Sequence, residues 1–282
     1  MKRKYWNTLF KVTCTCSAFI IFAMLSLLLL KILHDGFSGL SWQFLRNFPS
    51  RFFYKAGIGP ALMGSLWLFF LSALFSIPTS FALAIYLEEY LKKNSFMLSF
   101  LELMIATFSG IPSIVYGLLG LSFFVQELGM GRNLLTASLT LSLLLIPTLT
   151  IAFQNAFKNT AASIREAAYA LGATKREVIC GQIIPRSFSS IVSAVILGLS
   201  RSIGETAPLL VIGGVAFISY YPTSPQDNFT ALPIQIYNWT SRPQADFHNI
   251  AASGIIVLLV IIFSFNALAS YIRHQNEERN FK

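Results

Sequence analysis

Charge is scarce in this sequence. Asp, Glu, Lys and Arg make up 12% of its 282 residues, too few to coat a soluble domain of that length. Cysteine is scarce as well: Cys14, Cys16 and Cys180 are the three present, which excludes a disulfide framework and leaves them as small apolar filler. The histidines, His34, His248 and His274, are scattered, so no metal-ligand spacing joins them and no cofactor is expected. No G-x-x-x-x-G-K-[ST] stretch occurs, which removes the phosphate-cradling loop that ATP hydrolysis would need. The alternating strands of an outer-membrane barrel are missing too.

What the chain has is apolar length. It is 55% hydrophobic with a mean hydropathy of +0.63, and crossing about 30 Å of hydrocarbon takes about 20 residues of helix. Six runs meet that need, near residues 12–33, 62–87, 98–125, 134–154, 188–218 and 250–272. They predict an all-α, polytopic membrane protein of about six transmembrane helices. The third and fifth runs are long and interrupted by Gly and Pro, as broken helices would be. Pro78, Pro147 and Pro208 read first as kinks. Lys2, Arg3 and Lys4 ahead of the first run resemble a signal peptide, but no A-x-A-like cleavage site follows, so the run is expected to stay as a span.

Basic residues set the orientation. With the N-terminus inside, the cytoplasmic segments carry Lys2, Arg3, Lys4, Lys11, Lys92, Lys93, Lys158, Arg165, Lys175, Arg176, Arg186, Arg273, Arg279 and Lys282. The outer segments carry Lys31, Arg46, Arg51, Lys55, Arg132 and Arg242. Both termini are therefore expected in the cytoplasm. The formal charge of +9 then reflects topology and anionic lipid, with no nucleic acid implied.

One cytoplasmic loop, residues 159–187, encodes two short helices and a tight corner. Ser163 followed by Glu166 predicts a capping box, with Ile164, Ala167, Ala168 and Leu171 on one face. Gly172 suits the left-handed position after a helix. Thr174 followed by Glu177 predicts a second box, and Pro185 is expected to close that second helix. Three readings are open: a well-capped connector, a helix-turn-helix DNA reader, or a docking element rimmed by Arg165, Lys175 and Arg176. Tethering at both ends to adjacent spans weighs against the major groove.

The fifth run carries charge: Arg201 and Glu205, four apart, are expected on one helix face. Two readings compete, a mutually neutralised pair packing a helix interface and the border of an anion pathway. In the second, arginine offers a planar, permanent charge to an oxyanion and Glu205 holds it in place. A helix starting near Phe188 would put Arg201 about 20 Å from its cytoplasmic end. In the third span, Ser109, Gly110, Pro112, Ser113 and Gly117 read first as close packing. The outer loop 220–250, with four prolines and the aromatics Tyr237 and Trp239, reads as a solvated, turn-rich connector.

The stretch REAAYALGATKREVICGQIIPRS (165–187) resembles the coupling loop of bacterial ABC-importer permeases, whose pattern is EAA, three residues, Gly, nine residues, Ile-x-Leu-Pro. Glu166, Ala167, Ala168, Gly172 and Pro185 match it; Gln182 stands in place of Ile and Ile184 in place of Leu. LSRSIGETAPLL (199–210), GIPSIVYGLLGLSFFV (110–125) and AGIGPALMGSL (56–66) further resemble the phosphate-importer permease family PstA, from about residue 56 onward. The resemblance implies a permease domain over 56–282 behind a first helix and outer loop in 1–55. It implies that the 159–187 loop seats in an ATP-binding subunit (a PstB-like dimer). It also implies a PstC-like sister permease and a PstS-like extracytoplasmic phosphate-binding protein. A sulfate, molybdate or tungstate permease would keep the fold and change the cargo. An enzyme buried in the membrane would need paired carboxylates, a nucleophile or a metal cluster among the spans, and a passive channel would not need the docking loop.

Overall fold

In hydrocarbon each backbone donor and acceptor has to be matched within its own segment, and helix does this for every long apolar run. The computed structural model describes residues 2–280 apart from Lys93 and Ala216, with side chains from Trp6 to Arg273. Lys93 and Lys282 of the charge asymmetry lie outside these residues, as do the side chains of Lys2, Arg3, Lys4, His274 and Arg279. Among the described residues every regular element is helical.

The elements are α1 (Lys2–Gly36), α2 (Trp42–Arg46), α3 (Gly59–Ile85), α4 (Phe96–Ser109), α5 (Ser113–Gly120) and α6 (Leu134–Lys158). They continue as α7 (Ala162–Ala170), α8 (Lys175–Val178), α9 (Ile184–Ile203), α10 (Ala207–Ile212), α11 (Leu232–Thr240) and α12 (Ala245–Asn280). A π-helical turn extends α3 over Tyr86–Tyr90, another extends α5 over Leu121–Glu127, and a third, Ile179–Ile183, joins α8 to α9. Five stretches are long and apolar enough to cross a bilayer: Trp6–Gly39, Gly59–Tyr90, Leu134–Lys158, Lys175–Ile203 and Ala245–Arg273. A sixth is a pair, Phe96–Ser109 and Ser113–Glu127, bent by 98° at its break. The six expected runs are all present, and the third is broken at Gly110–Pro112.

The central pair is α3 against α6. Ser72, Ser76, Ser80 and Ala84 recur every fourth residue on α3 and are all fully buried, so they form a stripe of small side chains that lets α6 approach closely. Ser142 Oγ donates to the Ser72 carbonyl at 3.3 Å and Ser80 Oγ to the Ile146 carbonyl at 3.2 Å. Such interhelical bonds contribute only about 0.6 kcal/mol each in a membrane, so close packing carries most of the contact. Pro78 and Pro147 lie inside α3 and α6 without ending either helix. Below the serine stripe, Leu149, Phe153 and Phe157 of α6 pack with Val178, Ile183, Ile191 and Leu199 from the α8–α9 rod.

That rod corrects two expectations. Pro185 does not close the second helix of the loop, and the fifth span does not begin near Phe188. Helix runs on from Lys175 to Ile203, with Pro185 in the first turn of α9. A proline lacks a donor and crowds the preceding turn; the wider π turn Ile179–Ile183 precedes it and the helix passes through.

The opposite end of the bundle is built around Trp239. The reading of 220–250 as a solvated connector fails here, because this segment holds α11, with Leu232, Pro233, Ile234, Gln235, Ile236 and Trp239 all buried. Trp239 packs with Phe44, Ala61, Phe247 and Ile250, and Ser65 Oγ caps α11 by accepting the Leu232 N–H at 2.9 Å. Apolar residues at 232, 236 and 239 had the helical period, masked by proline at 233 and the polar residues between. Outside the spans, Asp227 accepts the N–H groups of Thr223 (2.8 Å) and Ser224 (2.9 Å), which hold its carboxyl below the usual range. The first helix is peripheral. It meets α12 at Gly36, whose carbonyl accepts from Ser253 Oγ at 2.8 Å, while Cys14 and Cys16 are exposed on its flank.

Candidate functional site

Arg201 stands in the last turn of α9, which ends two residues later at Ile203. The N–H of Gly204 bonds the Arg201 carbonyl at 3.1 Å and that of Glu205 bonds the Ser202 carbonyl at 3.2 Å, the tightened turn of a helix end. Pro208, in the first turn of α10, then starts a new short helix. Arg201 and Glu205 therefore do not share a helix face: Glu205 lies in the break. They still pair, at 3.7 Å from Nε to Oε1, with Arg201 69% exposed and Glu205 16%. At that distance no hydrogen bond locks the guanidinium, and it projects into open space.

The space it borders belongs to the other broken span. Tyr116 donates its hydroxyl proton to the Phe108 carbonyl at 2.8 Å, tying the two limbs of the bent pair across their break. Phe108, Ser109, Gly110, Ile111, Pro112, Ser113 and Tyr116 form one wall of a cavity of about 270 Å³. Leu144, Thr148 and Arg201 complete it. Ser109, Gly110, Pro112 and Ser113, read from sequence first as packing residues, thus share a cavity with Arg201. Glycine and proline marked the break in the sequence, but nothing there showed that two breaks would meet.

The cavity sits at mid-bundle. Leu144 and Thr148 are fourteen and ten residues before Lys158, about 21 and 15 Å along α6. The end of α4 and the start of α5 both face the same space, so their opposite partial charges offset and the guanidinium supplies the net charge. Arg201 is the one ionised side chain among the lining residues. A permanent cation on the wall of a cavity of this size attracts an anion. A larger cavity of about 420 Å³, lined by residues such as Leu66, Phe69, Val260 and Phe265, carries no ionisable side chain and offers no comparable chemistry.

At the other end of α9 the loop forms its corner. The N–H of Ala173 bonds the Ala168 carbonyl (3.1 Å) and that of Gly172 bonds the Tyr169 carbonyl (2.9 Å), a Schellman closure. Gly172 has φ +86°. A methyl group there would meet nothing within 4 Å, so conformation rather than space calls for glycine. The Thr174–Glu177 capping box forms, with the Thr174 N–H donating to Glu177 Oε2 at 2.7 Å. The Ser163–Glu166 box does not: α7 is capped two residues earlier, at Ala161, with no side-chain bond. The apolar face also splits. Ile164 and Ala168 turn partly inward, whereas Glu166, Ala167, Tyr169 and Leu171 are exposed, Leu171 at 89%.

Arg165 is not on the rim of this corner. Its side chain points into the bundle and is 14% exposed, pairing with Glu89 at 2.5 Å and donating from Nη2 to the Phe157 carbonyl at 2.7 Å. Lys158 lies between Glu88 (3.8 Å) and Glu102 (3.7 Å). Sequence reasoning missed this cluster, since Glu89 and Arg165 are separated by the whole of α4 to α6; a Glu-Glu pair closing an apolar run was the one available signal.

Comparison with known proteins agrees with this architecture. The family "Binding-protein-dependent transport system inner membrane component" matches residues 76–275, well over half of the chain. The "Phosphate transport system permease protein PstA homolog" of Mycoplasma pneumoniae is 32% identical over 78% of this chain, which spans only 35% of that longer protein. A "Probable phosphate transport system permease protein PstA" from Methanocaldococcus jannaschii is 30% identical over 74% of this chain and 73% of its own length. The "Probable ABC transporter permease protein YqgI" of Bacillus subtilis is 29% identical over 96% of both. Among solved structures, a chain of a bacterial alginate ABC transporter shares the fold at TM-score 0.64 and 18% identity, over 96% of each chain. The chain therefore belongs to the binding-protein-dependent transport system inner membrane component family: it is a multi-pass permease subunit of an ABC importer, a family that works with a substrate-binding protein and leaves ATP hydrolysis to a separate subunit.

Proposed function

We propose that this chain forms half of the pathway by which an ATP-driven importer brings inorganic phosphate into a cell. The observation that carries the reading is the mid-bundle cavity in which two broken spans meet and Arg201 is the one ionised lining residue. Interrupted helices whose ends face a buried site are a recurring way to hold an ion inside a membrane. A planar guanidinium suits a tetrahedral oxyanion, and Glu205 beside it offers a counter-charge that keeps the arginine from binding the anion irreversibly. Relatives named as phosphate permeases support phosphate over sulfate, molybdate or tungstate.

In this reading residues 56–282 form the permease domain, and the α7–α8 corner is cytoplasmic. Lys158, Lys175, Arg176 and Arg186 at the corner's end of the bundle support that orientation, which puts both termini inside. Glu166, Ala167, Ala168 and Gly172, with Pro185 behind them, build the seat for a PstB-like ATP-binding subunit, and exposed Tyr169 and Leu171 give it apolar contact area. A PstC-like sister permease supplies the other half of the pathway, and a PstS-like receptor delivers the anion.

The test is uptake of labelled phosphate by cells lacking this chain, with and without its restoration, against excess sulfate or molybdate. Restored, energy-dependent uptake that only unlabelled phosphate competes away is expected. Transport of sulfate or molybdate in its place would keep the permease and discard the cargo.

A further inference from the structure

We infer that Arg165 and Glu89 form the strut that carries movement of the α7–α8 corner into the transmembrane bundle. The inference rests on the proposed reading of that corner as the seat of the ATP-binding subunit.

The corner helix has little else to hold it. No residue of α7 is fully buried; Ile164 and Ala168 are partly covered, and the remaining inward side chain is Arg165. Its guanidinium touches two elements at once. Nη1 donates to Glu89, in the π-helical turn that ends α3, and Nη2 donates to the carbonyl of Phe157, in the last turn of α6. Glu89 is 6% exposed and Arg165 14%, so both charges are largely withdrawn from water. Removing one partner of such a pair leaves the other uncompensated, which is more unfavourable than the pair is favourable. A displacement of α7 therefore has to drag the ends of α3 and α6 with it or break the pair.

What α6 leads to gives the strut its consequence. Phe157 is fully buried, with Phe81 of α3 against its ring at 5.7 Å, so its backbone cannot shift without the helix pair around it. Nine residues up the same helix, about 14 Å away, Thr148 lines the cavity that Arg201 borders. Lys158, between Glu88 and Glu102, joins the middle of α4 to the same end, and α4 leads to the break at Ser109 on the cavity's other wall. Arg165 and Glu89 touch no substrate; they are positioning residues, linking the driven corner to both walls of the site.

The experiment uses the whole transporter, this permease with its sister, its ATP-binding subunit and its receptor, in proteoliposomes. It records labelled phosphate imported per ATP hydrolysed. Glu89→Gln is expected to lower that ratio at least tenfold while the ATP-binding subunit still co-purifies. Glu89→Asp, which keeps the charge and shortens the reach, is expected to lower it less, as is Arg165→Lys, which keeps the charge and loses the fork that reaches both Glu89 and the Phe157 carbonyl. A purely structural role would reduce the amount of transporter and leave the ratio of the surviving fraction unchanged; an unchanged ratio in both Glu89 variants overturns the strut, as does loss of the ATP-binding subunit in both. Leu171→Asp on the exposed corner tests the underlying reading separately. If it leaves the ATP-binding subunit bound and the ratio intact, the seat is elsewhere, whatever the Glu89 variants do.

Discussion

Gly117 of α5 and Pro208 of α10 meet so closely that a methyl group on Gly117 would stand 2.7 Å from the Pro208 Cα. This contact seals one broken span against the other on the flank of the Arg201 cavity, and the neighbour is backbone, which cannot rotate away. Gly117→Ala is expected to force the two segments apart, at a cost of about 1–3 kcal/mol from overpacking. The checks are a lowered thermal midpoint of the purified permease and slower phosphate uptake, both worse in Gly117→Val.

Gly172 separates conformation from space. Its φ of +86° is strained for any residue with a Cβ, yet nothing crowds the position. Gly172→Asn is expected to be mild and Gly172→Val to cost roughly 1–3 kcal/mol locally. Co-purification of the ATP-binding subunit reads the difference, with the valine variant retaining less.

The serine stripe of α3 makes a prediction of two signs. Ser76 is fully buried and its hydroxyl has no hydrogen-bond partner among the described residues, so Ser76→Ala is expected to be neutral or slightly stabilising. Ser76→Leu inserts a branched side chain where α6 packs, and about 1–3 kcal/mol of destabilisation follows. Thermal unfolding in detergent distinguishes the two.

Much of the fold was legible in the sequence because the membrane imposes a coarse rule. The six apolar runs needed only length and composition, and the third span's break followed from Gly110 and Pro112. Local chemistry was legible where one residue decides it, as at Gly172 and in the Thr174–Glu177 box. It failed where alternatives lay two residues apart: Ser163 and Glu166 had the spacing of a capping box, but α7 is capped at Ala161. Pro185 was expected to end a helix, and the π turn before it let the helix continue. Arg201 and Glu205 looked like partners on one helix face because a spacing of four implies continuous helix, which Gly204 and Pro208 interrupt. The α11 helix, the meeting of the two breaks and the Arg165–Glu89 pair are long-range facts. Each depends on which surfaces face one another, and no local pattern carries that.

The position of Arg201 is the central claim, and uptake by Arg201 variants tests it most directly. The measurement is the rate of labelled phosphate import by Arg201→Ala and Arg201→Lys transporters, with sister permease, ATP-binding subunit and receptor quantified in each preparation. Arg201→Ala is expected to fall to background in fully assembled complexes. Arg201→Lys is expected to retain a fraction, since it keeps the charge and loses the planar fork, each tenfold loss corresponding to about 1.4 kcal/mol. Wild-type import by an assembled Arg201→Ala transporter would contradict the account and remove this residue from the anion's path.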